Sequence, residues 1–332
     1  MKKLINNPDH VAIESLEGLV LAYPQYLRQV KGLQSVVRVD SPRRGKVAIL
    51  TGGGSGHEPM FAGYVGRGMA DAGVAGNVFA SPPPPPIYQT AKVAHGGTGI
   101  LFLYGNYSGD VLNFDLAAEM LHTDGINVET VRVTDDVASA PPDRREERRG
   151  IAGGFFVIKI AGAKAEEHAT LAEVAAAATK ANANTRTMGV SLSSCTIPAS
   201  GHPIFEIAEN EMEIGMGIHG ERGVSRGALR PADNIASEIM AQIIEDLPVP
   251  RGSEIAILVN GLGATPMAEL FIVFRAVGRL LQNAGLTIIR TYVGNYVSSL
   301  DMAGCSISLM LLDEELKRLL RAPAECPALV QG

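Results

Sequence analysis

Apolar residues along the chain fall into short runs that end in glycine or polar residues and give way to stretches with helical spacing. Strand-like runs cover 46–51, 99–104, 128–133, 186–192, 254–259, 286–293 and 304–311. Helical patterns follow several of them, at 110–122, 171–183, 266–284 and 313–321. This alternation predicts an α/β protein of two α/β domains with mainly parallel sheets flanked by helices. A boundary is expected near 180–187, after an Ala-rich helix, dividing the chain into 1–184 and 185–332. Residues 150–160 read as strand-like and the charged run 143–149 as a solvated loop. The proline run 82–86 reads as a short polyproline-type spacer after strand-like 77–81. The segments "VAILTGGGSGHEPM" and "IAILVNGLGATPMAEL" echo one another as strand, glycine loop, proline, helix.

Composition agrees with that class. The 332 residues are 46% hydrophobic and 5% aromatic, with 37 glycines, which suits many tight strand-to-helix loops. A formal charge of -6 with no basic stripe argues against a nucleic-acid partner. Cys195, Cys305 and Cys326 are odd in number and far apart, so neither a disulfide framework nor a zinc site is indicated, and a reducing cytoplasm is the expected compartment. The two lysines near the N-terminus are not followed by an apolar signal core, and no run reaches membrane-spanning length; a soluble protein that is not exported is expected.

The stretch "TGGGSGHEP" at 51–59 invites a phosphate-binding reading that its residues do not support. A phosphate-binding loop of the Gly-x4-Gly-Lys type needs a lysine, which is missing. A hydrolase elbow and a dinucleotide fingerprint each need a small residue where His57 stands. What remains is a backbone that a small polar ligand can approach, with Glu58 and Pro59 expected to open the next helix. For His57 two readings stand: a ligand-facing residue at the carboxyl end of a strand, or a histidine that caps its own loop.

Two further polar groups stand at strand ends. Asp110 precedes Val111, Phe114, Ala118 and Leu121, so it reads as an N-cap worth about 1 kcal/mol, or as a carboxylate base for a bound hydroxyl. The segment "EMEIGMGIHGE" alternates, with Met212, Ile214, Met216 and Ile218 on a core face and Glu211, Glu213, Gly215, Gly217 and His219 opposite. His219 is either a satisfied structural histidine or, beside two glycines that clear space, a neutral imidazole able to attack a ketone carbonyl. His10, His95, His122, His168 and His202 have no metal-ligand spacing, and no metal site is expected.

Taken in order, "GGGSGHEP", "NYSGDVLNF", "CTIPASG", "NEMEIGMGIHGE", "LVNGLGATPMAEL" and "SLDMAGCSISL" resemble the K subunit, or K domain, of the dihydroxyacetone kinases over nearly the whole chain. The resemblance implies a two-domain α/β homodimer that binds a short ketose and serves glycerol metabolism. It implies that His219 forms a hemiaminal with the ketone carbon, that Asp110 is the base at the hydroxyl to be phosphorylated, and that His57 hydrogen-bonds the substrate and assists proton transfer. Gly53, Gly54, Ser55 and Gly56 would line the pocket. Hydroxyl attack on phosphorus needs positioning and a nearby base more than covalent help, which suits those residue types.

In such kinases the nucleotide sits on a separate helical L domain or subunit, so this chain is expected to bind no cofactor and to bind substrate without turning it over alone. The partner would carry ATP with magnesium, or a bound ADP recharged through a phosphotransferase-system subunit. Two departures bear on the sugar. The usual "KNYTGD" is "GNYSGD", with Gly105 in place of lysine, and the usual "SPTPDKI" is "SPPPPPI", which loses charge at Pro85 and Pro86. Dihydroxyacetone leads, and a four- or five-carbon ketose such as erythrulose or apulose is the alternative. A noncatalytic ketose sensor that acts on a transcription regulator is the competing class; the presence of both His57 and Asp110 favours the enzyme. A stand-alone nucleotide-dependent enzyme is disfavoured by the missing phosphate motifs.

Overall fold

The computed structural model describes residues 2–332. The chain divides into two compact units, each assembled from separated stretches, whereas the sequence reading divides it once, between 184 and 185. The first unit comprises Lys2–Val133, Phe156–Ala181 and Arg318–Gly332, and the second Thr134–Phe155 and Asn182–Lys317.

The first unit opens with α1 (Val11–Ala22), β1 (Leu27–Gln29), β2 (Ser35–Arg38), β3 (Ala48–Ser55) and β4 (Ala72–Val78). It continues through α2 (Pro84–Ala94), β5 (Ile100–Gly105), α3 (Ser108–Thr123) and β6 (Val128–Val133), and α4 (Gly154–Glu166) and α5 (Leu171–Ala183) follow. The sheet order is β1-β2-β4-β3-β5-β6. The four strands β4, β3, β5 and β6 run parallel, and β2 and β1 continue the sheet antiparallel. Leu50, Val74, Ile100, Phe102, Phe114 and Leu121 belong to the core between this sheet and α2 and α3.

The second unit holds β7 (Thr185–Ser191), β8 (Glu211–Ile214), β9 (Ser225–Ala228), α6 (Ala232–Asp246), β10 (Glu254–Gly261), α7 (Met267–Asn283), β11 (Thr287–Gly294) and β12 (Gly304–Leu312). Its order is β11-β10-β12-β7-β8-β9. Only β10 and β11 pair parallel, so the expectation of mainly parallel sheets fails here. The reason lies in the connections. Helix α7 carries the chain back between β10 and β11, but no helix joins β11 to β12, and without a long crossover the chain returns antiparallel. After α8 (Glu314–Arg321), the hairpin of β13 (Ala324–Cys326) and β14 (Leu329–Gln331) ends the chain in the first unit.

Three local expectations are corrected. Residues 150–160 are not a strand: α4 begins at Gly154, and Phe155, Phe156, Val157, Ile158, Ile160 and Ala161 are all fully buried. A helix buried on every side has no polar face to mark its period. The prolines are only partly a spacer, because Pro84, Pro85 and Pro86 form the first turn of α2, where N–H groups have no partner within the helix to lose. The charged run is not wholly solvated either. Arg148 is 1% exposed and forks onto Asp246, with Nη1 at 2.9 Å and Nη2 at 2.5 Å, while Arg186 Nε also donates to Asp246.

Asp246→Ala would leave two buried guanidinium groups without their counter-ion, and a loss of about 3–5 kcal/mol in urea unfolding is expected. Burial alone would raise the Asp246 carboxyl, but the hydrogen bonds and charges of Arg148 and Arg186 hold it at about 2, below its ordinary 3.8. A depressed carboxyl stabilises the fold above its unfolded value; that contribution is lost as pH falls from 3.8 toward about 2. Among the described residues no helix is long and apolar enough to cross a membrane, and the three cysteines are free and buried.

Candidate active site

The glycine stretch lies inside β3, which runs on to Ser55 rather than ending at Thr51. Glycine weakens a strand interior, so its presence marks a place where neighbours come close. A Cβ on Gly52 would lie 2.7 Å from the Val74 carbonyl oxygen, one on Gly53 2.4 Å from the Phe61 ring, and one on Gly54 2.7 Å from the Ala80 nitrogen. Ser55 donates from Oγ to the Gly76 carbonyl at 2.7 Å and accepts the Phe79 N–H on its own carbonyl at 2.9 Å. Gly54→Ala is therefore expected to push residues 79–80 off the strand, with a stability loss of about 1–3 kcal/mol by thermal unfolding.

Beyond Ser55 the chain turns. Gly56 takes φ +101°, and its N–H is accepted by both carboxylate oxygens of Glu58 at 3.1 Å, so Glu58 caps this turn. The expected helix start at Pro59 is not found; residues 58–61 are turn, and only a short 3-10 segment, Ala62–Tyr64, follows. His57 is 2% exposed, and its ring stacks on Phe79 with centroids 5.0 Å apart and an 18° tilt. Phe79 holds a positive φ of 56° to meet it.

Gly105 ends β5, which pairs parallel with β3, so the residues after both strands leave the same carboxyl edge of the sheet. That edge is where open α/β sheets bind ligands. Asp110 is not the N-cap of α3: Tyr107 holds that position, and Asp110 is the third helical residue. It is 9% exposed and stands in the first turn, where the helix dipole favours negative charge. His57, Asp110, Gly105 and the glycine stretch thus share one sheet edge in the first unit.

His219 belongs to the second unit. Strand β8 stops at Ile214 because Gly215 takes φ +79°, so His219 sits in a turn rather than on the strand expected there. Met212, Ile214, Met216 and Ile218 are all buried nonetheless. The His219 side chain is 24% exposed, and Nδ1 lies 3.0 Å from Glu221 Oε1. The backbone N–H of His219 is donated to Glu221 Oε2 at 3.0 Å, and the Ser299 hydroxyl donates to the Ile218 carbonyl beneath.

Sequence reasoning passed over Glu221 and Arg149. The spacing His219-Gly-Glu221 was a usable signal, since a carboxylate two residues on can reach back in a glycine-rich turn. Among the described residues no group of three or more His, Cys, Asp or Glu could hold a metal ion.

Residues 17–328 match the Dak1 domain family model. The chain is 47% identical, over 98% of both chains, to the dihydroxyacetone-binding subunit of PTS-dependent dihydroxyacetone kinase 2 of Listeria innocua. It is 46% identical over its whole length to the D-erythrulose kinase of Mycolicibacterium smegmatis and spans 57% of that protein. A crystal structure of the dihydroxyacetone kinase of C. freundii in complex with AMP-PNP and Mg2+ superposes with a TM-score of 0.91 at 34% identity, covering 99% of this chain and 61% of that one.

Proposed function

The chain belongs to the Dak1 domain family, and from that premise we propose that it is the ketose-binding subunit of a dihydroxyacetone-type kinase. The observation that carries the reading is the near-complete, 47% identical match to a dihydroxyacetone-binding subunit. In this reading an imidazole nitrogen of His219 adds to the ketone carbon and holds the sugar as a hemiaminal. Asp110 accepts the proton of the hydroxyl that attacks phosphorus, and a buried carboxylate at a helix N-terminus is a reasonable base for that step. His57 hydrogen-bonds the ketose. The backbone of Gly53, Gly54, Ser55 and Gly56, together with Gly105, bounds it.

The phosphoryl group comes from a nucleotide with magnesium on an L-type partner. The name of the Listeria relative supports a donor recharged through a phosphotransferase-system protein, while the AMP-PNP complex of the C. freundii enzyme supports exchangeable ATP. A cytoplasmic homodimer is part of the proposal. Dihydroxyacetone is the leading substrate, and the identity to an erythrulose kinase keeps a four-carbon ketose as the second reading. Gly105, at the end of β5, and the start of α2 at Pro84–Ala94 are the positions that would adapt the pocket to it.

The test is phosphorylation of a panel of three- to five-carbon ketoses by the chain with an L-type subunit, magnesium and either ATP or the phosphotransferase proteins. Ketose phosphate formed only with the partner is the expected result. Ketose binding with no phosphorylation by any partner would point to a sensing role. Rapid turnover of ATP and ketose by the chain alone would contradict the two-subunit mechanism.

A further inference from the structure

The turn that follows β8 supplies a partner for His219 that the proposed chemistry has not yet used. Glu221 accepts the backbone N–H of His219 on Oε2 and faces Nδ1 with Oε1, both at 3.0 Å. Burial alone would raise this carboxyl, but the hydrogen bond and charge of His219, with Arg149 Nη1 3.8 Å away, hold it at about 2. A carboxylate has no proton to donate, so in a neutral imidazole the Nδ1 atom carries the hydrogen and Nε2 carries the lone pair.

Arg149 is itself anchored. Its Nε and Nη2 reach Asp136 Oδ2 at 2.9 Å and 2.8 Å, and Nη2 also donates to the Gly215 carbonyl at 3.3 Å. The space beside His219 is shaped for this arrangement: a Cβ on Gly217 would lie 2.1 Å from Glu221 Oε2 and 2.6 Å from Arg149 Nη1. Gly217 therefore admits a carboxylate and a guanidinium, where the sequence pattern pointed to room for a ligand.

We propose that Glu221, backed by Arg149, is a positioning residue that holds His219 in the Nδ1–H tautomer and so makes Nε2 the nucleophile. The inference rests on capture of the ketose by His219. In that step the Nε2–C bond forms, the carbonyl π pair moves to oxygen, and the oxygen takes a proton from water. The hydroxide left behind goes to solvent, Nδ1 keeps its hydrogen, and the imidazolium so formed has its charge opposed by Glu221. The net change is addition of Nε2 to the carbonyl carbon and of one solvent proton to its oxygen.

The test combines two measurements. Nitrogen-15 NMR of histidine-labelled native chain should find His219 protonated on Nδ1 and not on Nε2; the opposite tautomer would overturn the proposal. In Glu221→Gln, which keeps the shape and removes the charge, the equilibrium for adduct formation with [2-13C]dihydroxyacetone should weaken by about 10²-fold, the upper range of what a hydrogen bond to a charged group is worth. An adduct as stable as in the native chain would also overturn it. The tautomer measurement needs no variant and decides the matter even if the substituted chain fails to fold. Absence of an adduct in the native chain would defeat the capture reading, while the nitrogen spectrum would still decide the role of Glu221.

Discussion

His219→Ala is expected to abolish the ketose adduct and to lower turnover with the L-type partner by at least roughly 10²-fold, the scale that loss of reactant orientation produces. The fold should survive. His219 lies in a partly exposed turn, and its side chain gives up its hydrogen bond to Glu221, which keeps the backbone N–H of residue 219 and the nearby Arg149. A net hydrogen-bond contribution of about 1 kcal/mol sets the stability change. Coupled turnover alongside thermal unfolding checks both parts, and full ketose affinity at the native rate would remove His219 from the mechanism.

Asp110→Asn should separate capture from transfer. Loss of a positioned base costs roughly 10²–10⁴-fold in rate, so kcat is expected to fall on that scale while the adduct still forms at His219. Asparagine keeps the size of the side chain, and the lost favourable charge in the first turn of α3 is worth only about 0.3–1 kcal/mol of stability. Steady-state kinetics together with adduct formation in the same preparation make the comparison, and kcat within a few-fold of native would rule out the base role.

Much of the fold was legible in the sequence because its elements follow ordinary periodicity. Helix α5 spans the expected 171–183, and α3, α7 and α8 lie within two residues of their expected ends. The failures have separate physical causes. Buried on all sides, α4 hides its period. The pairing direction of the second sheet depends on where a helix-free connection returns the chain, which no strand records by itself. The two echoing segments diverge for a similar reason: β10 does lead through Pro266 into α7, whereas after β3 the chain turns at Gly56 and Glu58 and forms no α-helix before β4.

The candidate site was legible in its residue types more than in its geometry. His57, Asp110 and His219 stood out as polar groups beside glycines; His57 lies in the loop expected at the carboxyl end of its strand, whereas the other two settings differ from the expected cap and strand. Asp110 lies inside its helix and His219 beyond its strand. Glu221 and Arg149 were hidden because their value comes from pairing: Arg149 reads as one more charge in a solvated run until Asp136 and Gly215 fix it next to Glu221. Gly217 has the same lesson, since the side chains that need its missing Cβ are distant or unremarked in sequence.

The chain is proposed to hold a short ketose covalently for phosphorylation by a partner. Carbon-13 NMR of [2-13C]dihydroxyacetone bound to the native chain tests the covalent step directly. The labelled carbon should leave the ketone region for that of a tetrahedral carbon bonded to nitrogen and oxygen, and should not do so with His219→Ala. A bound ketose whose labelled carbon keeps its carbonyl signal, or a tetrahedral signal that persists without His219, would contradict it.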